Sequence, residues 1–510
     1  MSRRLLCAVP ASSKLPRGSS VTKRSTATAV RLPPATSPTS APRTMPPTFT
    51  SFAPPRAPLP PSPREMPVAG HVHLLRKFWR DPIGSLLWQW RTFGDVTTLR
   101  FGPQRVVFVQ SAEGAHHVLV DAAKNYRKSD NYEGLRLFLG NGLLTSEGDF
   151  WKRQRRLAQP AFHKSRIERL VDPMIRCTDD LVEGWALSEE RSLDVHQEMM
   201  RLTFRIVGLT LFGTDLDRDS GEIGRALDVG LRFADDYVSS IVRVPTWIPT
   251  PANRNYLRAL ATVDRVVLGM IAARRKDTTE RHDLMSLLMD AKDEDTGVGM
   301  SDTQLRDEVA TLVLAGHETT ANLLTFAVSL VAARPEIEMR LVDEVERVLG
   351  DRAPTFADVA KLELTRAIID ETLRLFPPAW VVERQANEED VVSGYRIPKD
   401  TIVAVAPYVL HRHPSYWNNP EAFDPERFMG PPDTSRPRYA YMPFGAGPRF
   451  CIGNSFALME ATLVLALLFR RARFALRAGH VAGLDPLITL RPKGGMPMRV
   501  GARRPGRRPA

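Results

Sequence analysis

The spacing of apolar residues along the chain predicts a mainly α protein with a small β portion. Residues 96–101 and 105–109 alternate around a Gly-Pro-Gln segment, a pattern typical of a β-hairpin. From residues 112–120 onward, apolar side chains recur three and four positions apart, which is the spacing of helices that bury one face. The sequence therefore predicts a hairpin near the start of the structured part and helices through most of the rest.

The longest predicted helix begins at Ser301 and ends near Arg334. The hydroxyl of Ser301 can cap the helix while the side chain of Gln304 bonds back to the Ser301 amide, and Pro335 then stops the helix. A helix of about 33 residues is about 50 Å long at the usual rise per residue. We expect an element of that length to cross an entire domain.

The positive charge of the chain lies at its two ends. The 510 residues (57.1 kDa) carry a formal net charge of +12, but residues 1–64 hold ten Lys or Arg and no acid, and the last ten residues hold four Arg. The part between them is close to neutral, which argues against a nucleic-acid-binding surface. We therefore divide the chain into a disordered Pro/Ser/Arg-rich extension at 1–64, one domain at 65–500 and a basic tail at 501–510.

The cellular compartment is inferred from hydropathy and cysteine usage. No run approaches the roughly 18 to 20 apolar residues that a membrane-spanning helix needs. The three cysteines are too scattered for a disulfide framework, which indicates a reducing compartment. We expect a cytoplasmic protein without a membrane span. The alternative is an organelle, if the acid-free, Ser- and Arg-rich residues 1–64 are a transit peptide.

Residues 315–320, Ala-Gly-His-Glu-Thr-Thr, weaken the long helix at its middle. Glycine costs about 1 kcal/mol relative to alanine inside a helix, and adjacent threonines are also poor helix formers. The hydroxyl of Thr319 can bond the carbonyl of Ala315, bend the helix and leave room for a small molecule beside Gly316. The acid Glu318 beside such a hydroxyl is suited to relaying protons. The alternative is a kinked core helix without chemistry.

Residues 444–453, Phe-Gly-Ala-Gly-Pro-Arg-Phe-Cys-Ile-Gly, predict a loop built around Cys451. Two glycines before the cysteine permit a tight turn whose amides point at the sulfur, and Gly453 permits the close approach of a large flat group. Helix N-terminal amides and Arg449 would both favour the thiolate, the form that binds metal. Zinc is disfavoured because no second Cys or His lies nearby. The alternative is a free buried cysteine in a glycine turn.

Together these segments resemble the signature motifs of the cytochrome P-450 family. Residues 444–453 match its FxxGxRxCxG haem-binding loop at every specified position, and residues 315–320 match its (A/G)Gx(D/E)TT oxygen-activating signature. Three further segments resemble its third-helix region, its ExxR motif and its PERF motif in the expected order: 142–156, 371–374 and 425–428. The chain is identified as a member of this family, of soluble bacterial type, over about residues 65 to 500.

The resemblance implies that haem b (iron protoporphyrin IX) lies between the long helix and the cysteine loop of a mainly α fold with a small β portion. Cys451 would be the metal ligand, a thiolate that favours cleavage of the bond in dioxygen. Gly316 would make room for dioxygen, Thr319 would hydrogen-bond it, and Glu318 would pass protons inward.

Further residues of the cofactor site follow from the same resemblance. Four side chains match positions that hold haem propionates: Trp151, Arg155, Arg384 and Arg449. Phe444 and Gly453 belong to the haem-facing part of the cysteine loop. The resemblance also implies a structural network of Glu371, Arg374 and Arg427. Glu and Arg three positions apart share a helix face, and a second arginine can complete a buried charge network.

The implied reaction is that of a monooxygenase. It would insert one oxygen atom from O2 into a lipophilic substrate, by hydroxylation or epoxidation, and reduce the other atom to water. The chain has no Gly-rich nucleotide loop or room for a flavin domain, so electrons would come from a separate ferredoxin or flavodoxin with an NAD(P)H reductase. Two alternatives stay open: a peroxygenase or isomerase with the same fold, and a non-catalytic haem sensor.

The substrate is constrained only by the apolar character of the expected pocket. Residues 132–143, 379–382 and 494–498 resemble pocket-lining regions of the family and are mainly apolar. A fatty acid, a terpenoid or a polyketide would each fit such a pocket. Arg136 is a candidate anchor for a substrate carboxylate.

Overall fold

The computed structural model describes residues 57–503, except for short stretches at 187, 217–219, 241–242, 278, 280–282, 293–296, 432, 478 and 481. Residues 1–56 and 504–510 lie outside the described residues, and with them most of the predicted extension and tail.

Helices make up most of the described chain, which confirms the predicted mainly α class. They are α1 (Leu75–Arg80), α2 (Pro82–Phe93), α3 (Ala112–His116), α4 (Glu133–Leu139), α5 (Gly148–Ala158), α6 (Lys164–Ile167), α7 (Val171–Gly184), α8 (Val195–Phe212), α9 (Ser220–Ser239), α10 (Pro251–Lys276), α11 (Leu284–Asp290), α12 (Asp302–Ala332), α13 (Pro335–Leu349), α14 (Phe356–Val359), α15 (Glu363–Leu375), α16 (Pro407–Leu410) and α17 (Asn454–Arg471). None of the described helices is long and apolar enough to cross a membrane.

The strands form four small sheets. They are β1 (Val96–Phe101), β2 (Gln104–Val109), β3 (Tyr126–Arg127), β4 (Arg191–Asp194), β5 (Val382–Ala386), β6 (Asp390–Val392), β7 (Tyr395–Ile397), β8 (Ile402–Val405), β9 (Ala472–Leu476), β10 (Gly483–Pro486), β11 (Leu490–Lys493) and β12 (Pro497–Ala502). The largest sheet has the order β1-β2-β8-β5-β3, in which only β2 and β8 run parallel. The others are β4-β12-β9, β10-β11 and β6-β7.

The predicted hairpin is present with a tighter turn than expected. Strands β1 and β2 pair antiparallel from Val96 opposite Val109 to Phe101 opposite Gln104. Gln104 therefore belongs to the second strand, and Gly102 and the following proline alone form the turn, with Gly102 at a φ of +59° that suits glycine.

The long helix α12 crosses the core as predicted. It spans 31 residues, and Ser301 and Gln304 form the predicted capping box at its start. It ends at Ala332, slightly before the predicted end, and Pro335 opens the next helix because proline fits the first helical turn. Helices α8, α10, α15 and α17 pack around it, so that most of its side chains are buried.

Ordered contacts begin before residue 65 and continue past residue 500, so both predicted boundaries of the folded domain need correction. The carbonyl oxygens of Pro58 and Pro61 accept backbone hydrogen bonds from Arg396 and Thr98, at 2.8 and 3.0 Å. Proline lacks only the amide donor and keeps its carbonyl acceptor, so a Pro-rich segment can still be held at a sheet edge. At the other end, β12 runs to Ala502.

Candidate active site

A cavity of about 1540 Å³ lies between the middle of α12 and the loop of residues 444–453. Gly316, Glu318 and Thr319 line it from the helix, and Cys451 lines it from the loop. Ligand pockets usually measure about 300 to 1,000 Å³, so this cavity has room for a large cofactor together with a substrate.

Glycines shape the cysteine loop. Gly445 and Gly447 have φ angles of +72° and +65°, and a Cβ on Gly447 would lie 1.9 Å from the carbonyl oxygen of Leu119. No other residue fits at 447 without displacing that backbone. The amide of Cys451 donates to the carbonyl of Phe444 at 3.0 Å, which closes the loop directly before α17 and turns the cysteine to the cavity.

The thiol of Cys451 is less acidic than the sequence suggested. The side chain of Cys451 is exposed to the cavity, but the protein packed around it limits hydration of the thiolate and raises the pKa of Cys451. The amide of Gly453 and the guanidinium of Arg155 lower that pKa without reversing the shift. Arg449 was expected to favour the thiolate, but its Nη2 instead pairs with Glu147 Oε2 at 2.8 Å. A metal bound at Cys451 would therefore have to displace the proton.

Three cations converge at one edge of the cavity. Lys128, Arg384 and Arg449 all line it, and Lys128 Nζ lies 4.1 Å from the ring centroid of Tyr132. Burial, and the positive charges of Arg384 and Arg449, hold the pKa of Lys128 well below its usual range. Arg449 Nη1 is buried without a hydrogen-bond partner among the described residues. This edge therefore has cationic donors in excess of the acids that could neutralise them.

Trp151 and Arg155, on α5, complete that edge. The guanidinium of Arg449 stacks 3.8 Å from the ring centroid of Trp151. Arg155 Nη1 donates to the carbonyl of Phe450 at 2.9 Å, which fixes α5 against the cysteine loop. All four side chains predicted to hold propionates thus line one cavity, together with Phe444 and Gly453.

The threonines of α12 bond back along the helix. Thr319 Oγ1 donates to the carbonyl of Ala315 at 2.8 Å, as the sequence predicted. A Cβ on Gly316 would lie 2.9 Å from Val207 Cγ2 on α8, so the missing side chain allows the two helices to pack closely. The backbone of Gly316 nevertheless lines the cavity. Its predicted role, room for dioxygen, stays a prediction.

Glu318 is held by residues that the motifs did not indicate. Arg491 Nε, on β11, donates to Glu318 Oε1 at 2.8 Å, and the hydroxyl of Thr489 donates to the same oxygen. Arg491 Nη1 donates in turn to Asp228 Oδ1, on α9, at 2.5 Å. Glu318 and Arg491 are almost fully buried. The acid of α12 is therefore the centre of an ionic network that joins three elements.

A second buried network connects α15 to the segment before the cysteine loop. Arg374 Nε and Nη2 donate to the two carboxylate oxygens of Glu371 at 2.6 and 2.7 Å, and both side chains have no exposed surface. Arg427 Nε lies 3.4 Å from Glu371 Oε1. The remaining donors of Arg374 reach three backbone carbonyls, those of His411, Pro420 and Ala422. The three residues predicted as a structural network are thus in contact.

Comparison of the sequence with known proteins identifies the family of this chain. The sequence model of the cytochrome P-450 family matches residues 60–496. Cyclooctatin synthase of Streptomyces melanosporofaciens is 38% identical over 414 residues, covering 81% of this chain and 89% of that protein. Cyclooctat-9-en-7-ol 5-monooxygenase of the same organism is 35% identical over 416 residues, covering 81% and 88%. Pentalenene oxygenase of Streptomyces avermitilis is 32% identical over 448 residues, covering 87% and 98%.

The chain belongs to the cytochrome P-450 family. The residues present in this cytochrome P-450 fit the haem of that family. The cavity places a cysteine sulfur at its wall, and Arg384 and Arg449, with Lys128 beside them, would supply the positive charge that two propionates require. The orphaned donor Arg449 Nη1 is explained by such an anion. Lys128 lies outside every motif, so no sequence signal marks it as part of the site.

Two of the three predicted pocket regions of this cytochrome P-450 line the cavity. Residues 132–143 and 379–382 contribute side chains, whereas residues 494–498 do not. Residues 484–489, between β10 and β11, contribute instead. The two segments lie on neighbouring parts of the C-terminal hairpin region, and the sequence alone does not show which of them turns inward.

Arg136 is not a substrate anchor, contrary to the prediction. It is absent from the cavity lining among the described residues. Its Nη1 pairs with Glu133 Oε2 at 2.5 Å, and its Nη2 donates to the carbonyl of Thr145 at 2.9 Å. The first contact lies within α4, and the second joins α4 to the turn before α5.

Proposed function

We propose that this cytochrome P-450 monooxygenase hydroxylates or epoxidises a terpenoid, with haem b held by Cys451. The observation that carries this proposal is that Cys451 and the Gly316–Thr319 segment line the same cavity from two elements. Support for the substrate class comes from relatives named for oxidising cyclooctat-9-en-7-ol and pentalenene, both polycyclic terpenoids. Most of the remaining lining is apolar, which suits a lipophilic substrate better than a polar one.

Haem b bound through Cys451 would supply the activation of dioxygen, a chemistry that no side chain performs. The chain supplies the anchoring. Lys128, Arg384 and Arg449 would bind the propionates by charge-assisted hydrogen bonds, with Trp151 stacked on Arg449 to fix its guanidinium. This arrangement would orient the cofactor against Cys451.

Proton handling falls to Glu318 and Thr319. The hydroxyl of Thr319 donates to Ala315, which leaves the lone pairs of its oxygen available to accept a hydrogen bond. Glu318 can hold a proton at Oε2, since the donors Arg491 and Thr489 both bond Oε1. Reducing one atom of dioxygen to water consumes two protons, which such an acid and hydroxyl can deliver, whereas peroxide-driven or rearranging reactions have no such net demand. Their presence favours the monooxygenase over the alternatives.

Electrons would come from a ferredoxin or flavodoxin with an NAD(P)H reductase. Lys152 and Arg156 are exposed on α5, the helix that Arg155 ties to the cysteine loop, and would present positive charge to an acidic partner. We propose the cytoplasm as the compartment, because the relatives that carry the substrate assignment come from Streptomyces.

The test is turnover of the purified holoenzyme with a surrogate ferredoxin, its reductase, NADPH and isotopically labelled dioxygen. A cyclic terpene, its monoalcohol, a fatty acid and a macrolide are offered separately, with Cys451→Ala as the control. We expect one labelled oxygen atom in a terpenoid product, formed with NADPH consumption. Oxidation of the fatty acid or macrolide alone would overturn the substrate class. Product formation with hydrogen peroxide but not with NADPH would favour a peroxygenase. The absence of turnover under every condition would favour a haem sensor.

A further inference from the structure

The side of the cavity formed by α9 and residues 484–489 carries three carboxylates that the proposed mechanism does not use: Asp235, Asp236 and Asp485. Helix α9 contributes Leu231 and Asp235 to the lining, and the 484–489 segment faces the same cavity. Both elements contribute aliphatic side chains there, with Leu484 and Ile488 from the segment. Asp235 is half-buried among these aliphatic side chains and the two other acids.

Asp235 has no hydrogen bond or ion pair with any residue that the structure describes. Arg232, whose positive charge acts on Asp235, is already engaged, since its Nε lies 3.1 Å from Asp228 Oδ2 and its Nη2 lies 3.8 Å from Asp485 Oδ2. Burial, reinforced by repulsion from Asp236 and Asp485, raises the pKa of Asp235 to about 6.

An unpartnered, half-buried carboxylate destabilises a folded protein. A ligand that brings a donor removes that cost at the moment of binding, so such a group discriminates strongly between ligands with and without the donor. Asp235 lines a substrate-sized cavity beside two further acids, Asp236 and Asp485, and this position makes the substrate the source of the donor.

We propose that Asp235 binds a hydroxyl group of the substrate, so that the natural substrate is a terpenoid alcohol rather than a hydrocarbon. The inference rests on the proposed function for the terpenoid skeleton and adds the functional group. A hydroxyl is favoured over an ammonium because α9 and the 484–489 segment present no aromatic face to a cation. An alcohol also suits Asp235 in both its protonated and its ionised form, since a hydroxyl both donates and accepts.

A substrate that already carries a hydroxyl group must come from an earlier reaction. Cyclic terpenes are hydrocarbons unless oxygen is introduced, so the hydroxyl must come from an earlier hydroxylation or from a cyclisation that ends with capture of water. The product of this cytochrome P-450 would then carry at least two oxygenated positions, one bound by Asp235 and one newly oxidised.

The test compares the binding of matched ligand pairs to the holoenzyme. Each pair is a polycyclic hydrocarbon and its monoalcohol: one sesquiterpene pair, one diterpene pair, and adamantane with 1-adamantanol as a pair outside the terpenoids. Dissociation constants are measured by the substrate-induced shift of the haem absorption band and by calorimetry. For the wild type, Asp235→Leu and Asp235→Asn, we compare the ratio of the dissociation constant of the hydrocarbon to that of its alcohol.

We expect the ratio to fall about tenfold or more in Asp235→Leu, the loss that follows removal of a hydrogen bond to a charged group. Asp235→Asn should retain part of the preference, because the amide still accepts a hydrogen bond. Glu222→Gln, which removes an exposed acid of the same helix that pairs with Arg265, should leave the ratio unchanged.

An unchanged ratio in both Asp235 variants would overturn the inference. A second contradicting result would be that the wild type binds 1-adamantanamine more tightly than 1-adamantanol and that Asp235→Leu loses this preference. Failure of the proposed function looks different. If the terpenoid pairs do not bind but the adamantane pair shows an Asp235-dependent preference for the alcohol, the hydroxyl site stands and the terpenoid assignment falls.

Discussion

Arg491 Nε donates to Glu318 Oε1 across 2.8 Å, and the same guanidinium donates through Nη1 to Asp228 across 2.5 Å. Glu318, on α12, is therefore connected through one buried arginine to β11 and to α9, a helix that lines the cavity. A carboxylate held in this way is kept in one orientation, and proton transfer through Glu318 has to compete with the ion pair. The position of Arg491 thus links Glu318, the proposed proton-handling acid, to two elements that line the cavity.

We predict that Arg491→Met reduces the amount of product formed per NADPH consumed by about tenfold while NADPH consumption continues. The substitution leaves Glu318 and Asp228 buried without their common partner, which costs about 3 kcal/mol or more of stability. Product yield and thermal unfolding measure the two effects. Arg499→Met, which removes an exposed ion pair with Glu190, is the control. An unchanged yield per NADPH in Arg491→Met would show that the arginine does not position Glu318.

Lys128→Met should weaken haem binding and stabilise the protein without haem. The lysine is buried beside Arg384 and Arg449, so its removal relieves repulsion when no anion is present and deletes a propionate partner when haem is bound. We expect haem transfer to apomyoglobin to become about tenfold faster or more. Lys124→Met, at an exposed lysine of the same region, serves as the control. Equal transfer rates in the two variants would remove Lys128 from the cofactor site.

Glu371→Gln should destabilise the fold by about 3 to 5 kcal/mol, because it leaves the fully buried guanidinium of Arg374 without its bidentate partner. Urea unfolding monitored by circular dichroism measures the loss. Glu363→Gln changes an exposed acid on the same helix and should have little effect. Similar unfolding midpoints for the two variants would contradict the structural role of the Glu371 network.

Glu308 makes the free energy of unfolding fall as the pH rises, whereas an ion-paired acid makes it rise. Burial raises its pKa from 4.5 to about 7, against the amide of Leu143, and its Oε1 has no partner among the described residues. The folded protein therefore binds a proton that the unfolded chain releases between these values. Stability falls as the pH rises through this window, by about 3 kcal/mol in total.

Glu308→Gln should accordingly remove that fall. We expect a higher unfolding temperature than wild type at pH 8 and a nearly equal one at pH 4.5, measured by differential scanning calorimetry. Glu346→Gln, at an exposed glutamate of α13, should leave the pH dependence as in wild type. A Glu308→Gln variant that keeps the full dependence would show that another group causes it.

Local features were predictable from the sequence because neighbouring residues determine them. Ser301 and Gln304 cap α12 through bonds three residues apart, and the β1–β2 hairpin follows from a short turn between alternating strands. The glycines before Cys451 likewise fix the loop on their own.

Residues that reach the site from distant segments were not predictable. Arg491 contacts Glu318 from 173 positions away in the sequence. Asp228, which accepts a hydrogen bond from the same arginine, belongs to a third segment. Lys128 joins Arg384 and Arg449 only because the fold brings three separate segments to one cavity edge. Such contacts depend on tertiary packing, and no local pattern of residue types encodes them.

The assignment of Cys451 as the thiolate ligand of a haem is tested most directly by the Soret band of the dithionite-reduced protein with carbon monoxide, recorded beside Cys451→Ala. We expect the strongly red-shifted band of thiolate-ligated haem in the wild type and its loss in the variant. A band typical of histidine-ligated haem in the wild type, unchanged in Cys451→Ala, or no haem bound to either protein, would contradict it.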